Sequence, residues 1–151
     1  MKTLMKWMLP GLLVLALDRL VKQLCGDMSL TLIPGVIALR PAKNTGMALG
    51  LLQDHTLLIL LASVALAALC VWQLRDLRPR GLAPATISMM AGGAIGNMID
   101  RLAYGYVVDM FELLFVDFYI FNVADVGVVI GAILCGLSLL FRPQDWSKRE
   151  T

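Results

Sequence analysis

Charged residues are scarce in this chain. Of its 151 residues, 16% are Asp, Glu, Lys or Arg, whereas 59% belong to the apolar and aromatic set Ala, Val, Ile, Leu, Met, Phe, Trp, Tyr and Cys. A soluble domain usually carries about a quarter charged residues, so too few are present to cover a surface that faces water. The sequence therefore predicts an all-α integral membrane protein without a large separate soluble domain.

Residues for several kinds of chemistry are missing as well. His55 is the single histidine, which excludes an HExxH zinc site, and no GxSxG, P-loop or GxGxxG motif is present. Cys25, Cys70 and Cys135 stand far apart, so they predict neither a zinc site nor a disulfide framework. We therefore expect no metal and no cofactor, and the formal net charge of +2 gives no indication of a nucleic-acid partner.

Four stretches are long enough to cross a bilayer, which takes roughly 20 residues per helix. Two of them, Thr56 to Leu74 and Leu82 to Ile99, contain no charged residue. The first stretch admits Asp18 with Arg19, and the last admits Asp125. We predict four transmembrane helices, at about residues 7–24, 56–74, 82–102 and 121–141, in a single membrane domain that covers residues 1–151.

Charge asymmetry predicts the orientation of these helices. Lys and Arg collect near both termini and in the loop 75–80, so the positive-inside rule places that side in the cytoplasm. Most acidic residues fall on the opposite, outer side. Asp18, Asp100 and Asp125 lie toward the outer ends of their predicted helices. We therefore expect cytoplasmic termini and an acidic, membrane-embedded pocket near the outer face.

The two outer segments differ in composition. In residues 26–54, short β-type runs are separated by Pro34, Gly35 and Pro41, which predicts a small curved sheet or hairpin that forms a β-rich cradle on the membrane. The connector 103–120 mixes acids with large apolar residues, and we predict an irregular interfacial segment there. Within the membrane, small residues at four-residue spacing predict close helix packing. They are Ser88, Gly92 and Gly96, followed by Gly127 and Gly131.

Five polar blocks follow one another along the chain. They are Asp18-Arg-Leu-Val-Lys22, Asn44-Thr-Gly-Met-Ala48, Gly92-Gly-Ala-Ile-Gly-Asn97-Met-Ile-Asp100-Arg101, Gly105-Tyr-Val-Val-Asp109 and Phe121-Asn122-Val-Ala-Asp125. In this order and spacing, the chain resembles the lipoprotein signal peptidase (signal peptidase II) family of bacterial intramembrane aspartyl proteases. The resemblance covers nearly the whole chain.

The resemblance implies a catalytic dyad, Asp109 and Asp125, in an endopeptidase that needs no metal. Supporting or substrate-binding roles are implied for Asp18, Lys22, Asn44, Gly46, Asn97, Asp100, Arg101 and Asn122. The implied substrate is a prolipoprotein whose cysteine carries diacylglycerol, cut on the amino side of that cysteine in the bacterial cytoplasmic (inner) membrane. The implied partners are this substrate and membrane lipids, with the enzyme a monomer. Leu49, Met110 and Val126 depart from the usual family pattern, which bears on substrate fit.

Elementary chemistry agrees with a carboxylate dyad. Two carboxyl groups close together in a poorly hydrated site cannot both ionise cheaply, so they share one proton. The ionised partner can take a proton from water, and the protonated partner can polarise the peptide carbonyl. Nearby Asn side chains or backbone amides are candidate donors to the oxyanion that forms.

Other interpretations of these residues are open from the sequence. Asp125 can simply favour a helix start, Asp18 and Lys22 can form an i,i+4 pair, and Asp109 can be a solvated loop acid. Arg101 can reach the headgroups, hold Asp100 or hold a substrate carbonyl. At the level of function, the alternatives are a small ion- or proton-coupled transporter, which needs an acid near the midplane, and a helix-packing subunit of a larger complex.

Overall fold

The computed structural model describes residues 2–46, 55, 57–59, 61, 64–65 and 80–146. This part of the chain is rich in helix and contains one small sheet. Its elements are α1 (Lys2–Cys25), β1 (Leu30–Ile33), β2 (Ile37–Asn44), α2 (Ala83–Tyr104), β3 (Val107–Leu113), α3 (Val123–Phe141) and a 3-10 helix (Pro143–Trp146). The helices α1, α2 and α3 correspond to the first, third and fourth predicted segments.

The helix boundaries differ modestly from those we predicted. α1 starts at Lys2 instead of near residue 7, and α3 starts at Val123 because Asn122 caps it. In the second predicted segment, 56–74, residues 57–59, 61, 64 and 65 are described as helical, and the remainder lies outside the described residues. Within the described chain one helix, Val123–Phe141, is long and apolar enough by composition to cross a membrane. The arrangement of four spanning helices stays a prediction.

The three strands form an antiparallel sheet in the order β1-β2-β3. A turn at Pro34–Val36 joins β1 to β2, and Gly35 adopts a φ of 73°, which favours glycine. The predicted hairpin is therefore confirmed, although β2 continues past Pro41 to Asn44. The prediction of an irregular connector was wrong over residues 107–113, which form β3. Asp109 thus lies on a strand, opposite Ala42 of β2.

Small residues bring the three helices together, as their spacing predicts. A side chain at Gly92 would overlap the backbone of Gly11 on α1, and one at Gly127 would overlap Val14. Ser88 adds hydrogen bonds to this packing. Its Oγ accepts from the Gly11 N–H (2.8 Å) and donates to the Met8 carbonyl (3.1 Å), on either side of Pro10. Close packing of α2 between α1 and α3 fixes the positions of the side chains that these helices carry.

Gly92→Ala is expected to lower the thermal stability of the purified protein. The added methyl group meets backbone atoms of Gly11, which cannot swing aside, so α1 and α2 must separate. Overpacking of this kind costs about 1–3 kcal/mol. Gly136→Ala is the matched control, because no described atom lies within 4 Å of its added methyl. Thermal unfolding in detergent measures both changes, and equal melting temperatures for the two variants would contradict this account.

Candidate active site

Asp109 is the most enclosed acid of the sheet. It lies on β3 with 1% of its surface exposed, beside the end of β2. Its Oδ2 accepts a hydrogen bond from Asn44 Nδ2 (2.9 Å), and its Oδ1 accepts one from Asn122 Nδ2 (2.6 Å). Burial raises the pKa of Asp109 to about 6, and the negative charge of Asp125 acts in the same direction. The solvated loop acid that the sequence allowed is therefore excluded for Asp109.

Asp125 occupies the first turn of α3, where it takes part in a capping box. Its backbone N–H donates to Asn122 Oδ1 (2.9 Å), and its Oδ2 accepts from the Asn122 backbone N–H (3.2 Å). Its other oxygen, Oδ1, accepts from Asn97 Nδ2 of α2 (2.8 Å). Asp125 therefore does stabilise a helix start, but it is also held by a side chain from another helix.

Asn122 joins the surroundings of the two acids. It is fully buried, and its side-chain amide donates to Asp109 while its side-chain oxygen accepts from the Asp125 backbone. The same amide also donates to Asn97 Oδ1 (3.1 Å). Asn122 thus donates to both carboxyl groups, to Asp109 through its side-chain amide and to Asp125 through its backbone N–H.

A cluster of two acids and two cations lies next to these amides. Lys22 Nζ contacts Asp18 Oδ2 (3.0 Å) and Asp100 Oδ2 (2.6 Å), and it donates to Asn97 Oδ1 (3.1 Å). Arg19 contacts Asp18 Oδ2 (2.8 Å) and Asp100 Oδ1 (2.7 Å). Asp18 and Asp100 are almost completely buried, and the four charges balance. Balance of this kind is what permits ionised groups inside a low-dielectric region.

The cluster also reaches the backbone of the elements that carry Asp109 and Asp125. Asp18 Oδ1 accepts a hydrogen bond from the Ala124 N–H (3.0 Å), and Asp100 Oδ2 accepts one from the Val108 N–H (3.2 Å). Ala124 directly precedes Asp125, and Val108 directly precedes Asp109. Asp18 therefore does more than form the i,i+4 pair with Lys22 that its spacing suggests.

Arg101 does not hold Asp100, which was one of the alternatives that the sequence left open. Its Nη2 donates to the Gly46 carbonyl (3.0 Å), and the Gly46 N–H donates to Asn44 Oδ1 (3.0 Å). In the described part of the chain the ion pairs of Asp100 are with Arg19 and Lys22, and none is with Arg101. Arg101 thereby fastens the end of β2 to the last turn of α2.

All ten residues predicted for the site lie in one continuous network of hydrogen bonds and ion pairs. Of the other acids between α2 and α3, Glu112 lies 3.6 Å from Arg40, and Asp117 is exposed. Sequence reasoning missed Arg19 as a member. Neighbouring residues on a helix point about 100° apart, so the sequence gives no sign that Arg19 contacts both Asp18 and Asp100, which its long side chain makes possible. Of the three departures from the family pattern, Met110 is buried, Val126 is exposed, and Leu49 lies outside the described residues.

Comparisons with known proteins point to one family. A family model described as signal peptidase (SPase) II matches residues 11–141. A lipoprotein signal peptidase of Lactobacillus johnsonii is 35% identical over 142 residues, covering 89% of this chain and 92% of the relative. One from Moorella thermoacetica is 37% identical over 142 residues, covering 90% and 93%.

Two solved structures share the fold. Both are described as bacterial membrane enzymes, with TM-scores of 0.81 and 0.74 and identities of 28% and 25%. The alignments cover 97% of this chain and 94% of the first structure, and 91% and 94% for the second. The match therefore includes the helices and the sheet together.

Proposed function

The chain belongs to the signal peptidase II family of bacterial membrane proteins, and from this we propose that Asp109 and Asp125 are the catalytic dyad. Members of this family are aspartic-type enzymes that remove signal peptides from prolipoproteins, which disfavours the transporter and the packing subunit. The observation that carries the proposal is the bridge that Asn122 forms between the two acids. The raised pKa of Asp109 supports a site in which one proton is shared.

The surroundings of the dyad suggest which acid donates a proton and which accepts one. Asp109 is the more buried acid, and burial favours its protonated form, so it carries the shared proton. Asp125, held by Asn97 and the Asn122 backbone, acts as the carboxylate that accepts a proton from water. The hydroxide equivalent adds to the peptide carbonyl carbon while Asp109 gives its proton to the carbonyl oxygen. Collapse of this intermediate breaks the C–N bond as the proton on Asp125 passes to the leaving amine. One hydroxyl of the intermediate returns its proton to Asp109, which forms the carboxylic acid product and restores both acids.

We propose a prolipoprotein with a diacylglyceryl cysteine as the substrate, cut on the amino side of that cysteine. The enzyme would act in the cytoplasmic membrane as a monomer, with both termini in the cytoplasm and the site near the outer face. The sheet and the site acids lie together at one end of the helices, whereas Arg80 and Arg142 lie at the other end, which supports this orientation. A single cysteine replacing Asp27, in a chain without native thiols, should react with an impermeant reagent in intact cells. One replacing Arg80 should stay unlabelled, and the reverse pattern would refute the orientation.

Incubation of the purified protein with a diacylglyceryl-modified prolipoprotein tests the activity. Mass spectrometry should detect release of the signal peptide and a product that begins with the lipidated cysteine. The unmodified precursor, supplied at the same concentration, is the matched control and should be cut far more slowly. Absence of cleavage, or a product with a different first residue, would contradict the proposal.

The rate of cleavage is expected to depend on pH through Asp109. The pKa of Asp109 is raised from 3.8 to about 6. Between these two values Asp109 keeps a proton that a free carboxyl group has lost, and Asp109 loses this proton as the pH rises through about 6. If Asp109 donates that proton, kcat/KM should fall as the pH rises above about 6, because kcat/KM reports the free enzyme. A rise of kcat/KM through the same range would instead make ionised Asp109 the base. Glu112→Gln should leave the profile unchanged.

A further inference from the structure

Arg19 binds two buried acids with one guanidinium group. Its Nη2 lies 2.8 Å from Asp18 Oδ2, and its Nη1 lies 2.7 Å from Asp100 Oδ1. Nη2 also donates to the Gly96 carbonyl (3.2 Å), which anchors the group on α2. One planar, rigid guanidinium group therefore makes a hydrogen bond to Asp18 and an ion pair with Asp100, which limits the distance between the two carboxylates.

Both of these carboxylates use an oxygen to hold the backbone next to a dyad residue. Asp18 Oδ1 holds the amide of Ala124, and Asp100 Oδ2 holds the amide of Val108. The first amide precedes Asp125 on α3, and the second precedes Asp109 on β3. The separation of Asp18 and Asp100 is therefore transmitted, through one hydrogen bond on each side, to the two elements that carry the dyad.

Lys22 does not make Arg19 redundant. It contacts the Oδ2 atoms of Asp18 and Asp100, and among the described residues the ion pair of Asp100 Oδ1 is with Arg19. The ammonium group of Lys22 is a compact charge that can shift between its partners. The guanidinium group of Arg19 contacts a different carboxylate with each of two nitrogens and cannot shift in this way. Both cations are also needed to balance the two buried negative charges.

We propose that Arg19 is a positioning residue for peptide cleavage, which fixes Asp109 and Asp125 relative to each other by holding Asp18 and Asp100 in one guanidinium fork. The inference rests on the proposed function of that dyad. Arg19 is connected to the dyad through Asp18 and Asp100. Its substitution should therefore slow the chemical step and leave substrate binding nearly unchanged. Misplacement of reacting groups by about 1 Å can lower a rate about 100-fold.

Arg19→Lys and Arg19→Gln test the proposal in single-turnover cleavage with enzyme in excess over the lipidated prolipoprotein. The rate constant at saturating enzyme then reports the chemical step of correctly folded molecules, and the enzyme concentration at half-maximal rate reports binding. We expect the rate constant to fall about 100-fold in Arg19→Gln and about 10-fold in Arg19→Lys. Half-saturation should move less than about threefold in both. Arg19→Lys keeps the charge, so its melting temperature should stay near that of the parent protein.

Arg40→Gln is the matched control. Arg40 is a half-exposed cation paired with Glu112 on the sheet, away from the cluster, and its loss should change the rate constant less than about twofold. Asp100→Asn adds a test of the route. If Arg19 acts through Asp100, the double variant with Arg19→Gln and Asp100→Asn should be little slower than Asp100→Asn alone.

Two results would overturn the inference. One is a single-turnover rate constant for Arg19→Lys and Arg19→Gln within twofold of the parent protein. The other is a rate constant that falls only where the melting temperature falls, so that Arg19→Lys keeps the parental values of both and Arg19→Gln loses both. That result would show that Arg19 contributes only a charge that stabilises the fold. Asp109→Asn and Asp125→Asn, assayed in parallel, separate this failure from failure of the dyad itself, because active dyad variants would refute the proposed function whatever Arg19 does.

Discussion

Asp109→Asn and Asp125→Asn are each expected to lower the rate of prolipoprotein cleavage by about 10³-fold or more, while the protein stays folded. Each change preserves the size of the side chain and removes the group that carries or accepts a proton. Each new amide keeps one oxygen for the donors that surround it and loses one of the two accepted hydrogen bonds, which leaves the packing of the site in place. Cleavage of the lipidated precursor, together with thermal unfolding, measures both parts of this expectation.

The double variant distinguishes a dyad from two independent acids. Removal of the proton from water and protonation of the carbonyl belong to one step, so losing both acids should be scarcely worse than losing one. Losses that multiply would indicate separate roles. Glu112→Gln and Asp117→Asn should cleave normally, because Glu112 points to Arg40 and Asp117 is exposed. A folded Asp125→Asn protein with near-normal activity would require a site rebuilt around Asp18 and Asp100.

The second large effect is expected at Asn122, where two functions can be separated. Asn122→Ser keeps a side-chain oxygen that can cap α3 but loses the amide that donates to Asp109. Asn122→Ala loses both. We expect both variants to cleave about 100-fold more slowly, because Asp109 is no longer held beside Asp125. Only Asn122→Ala should also lose about 1 kcal/mol of stability through the missing cap.

Thermal unfolding and initial cleavage rates of the two Asn122 variants provide the comparison. An Asn122→Ser protein with parental activity would show that the cap alone matters, and the amide bridge would have no part in the reaction. A parallel loss of stability in both variants would show that serine fails as a cap, and the rate would then have to be compared at equal folded fractions.

Much of the fold follows from local features of the sequence. Long, mostly apolar runs predicted α1, α2 and α3 to within about five residues at each end, because a run of this length and composition has few alternatives in a bilayer. Pro34 and Gly35 predicted the hairpin, since these residues favour a turn wherever they occur. The polar blocks indicated the family, and with it the ten residues that the structure brings into one network.

Tertiary structure decided the remainder. β3 exists because its backbone pairs with β2, and a partner from another part of the chain leaves no periodic signal in residues 107–113. Apart from the family motif, nothing in the sequence separates Asp109 from Glu112 and Asp117. In the structure, Asp109 differs from these two acids by its burial against Asn44 and Asn122. The contact of Arg19 with Asp100 likewise depends on how closely α1 and α2 pack. Glycines such as Gly92 permit this close packing, but no local pattern in the sequence predicts which groups the long side chain of Arg19 then reaches.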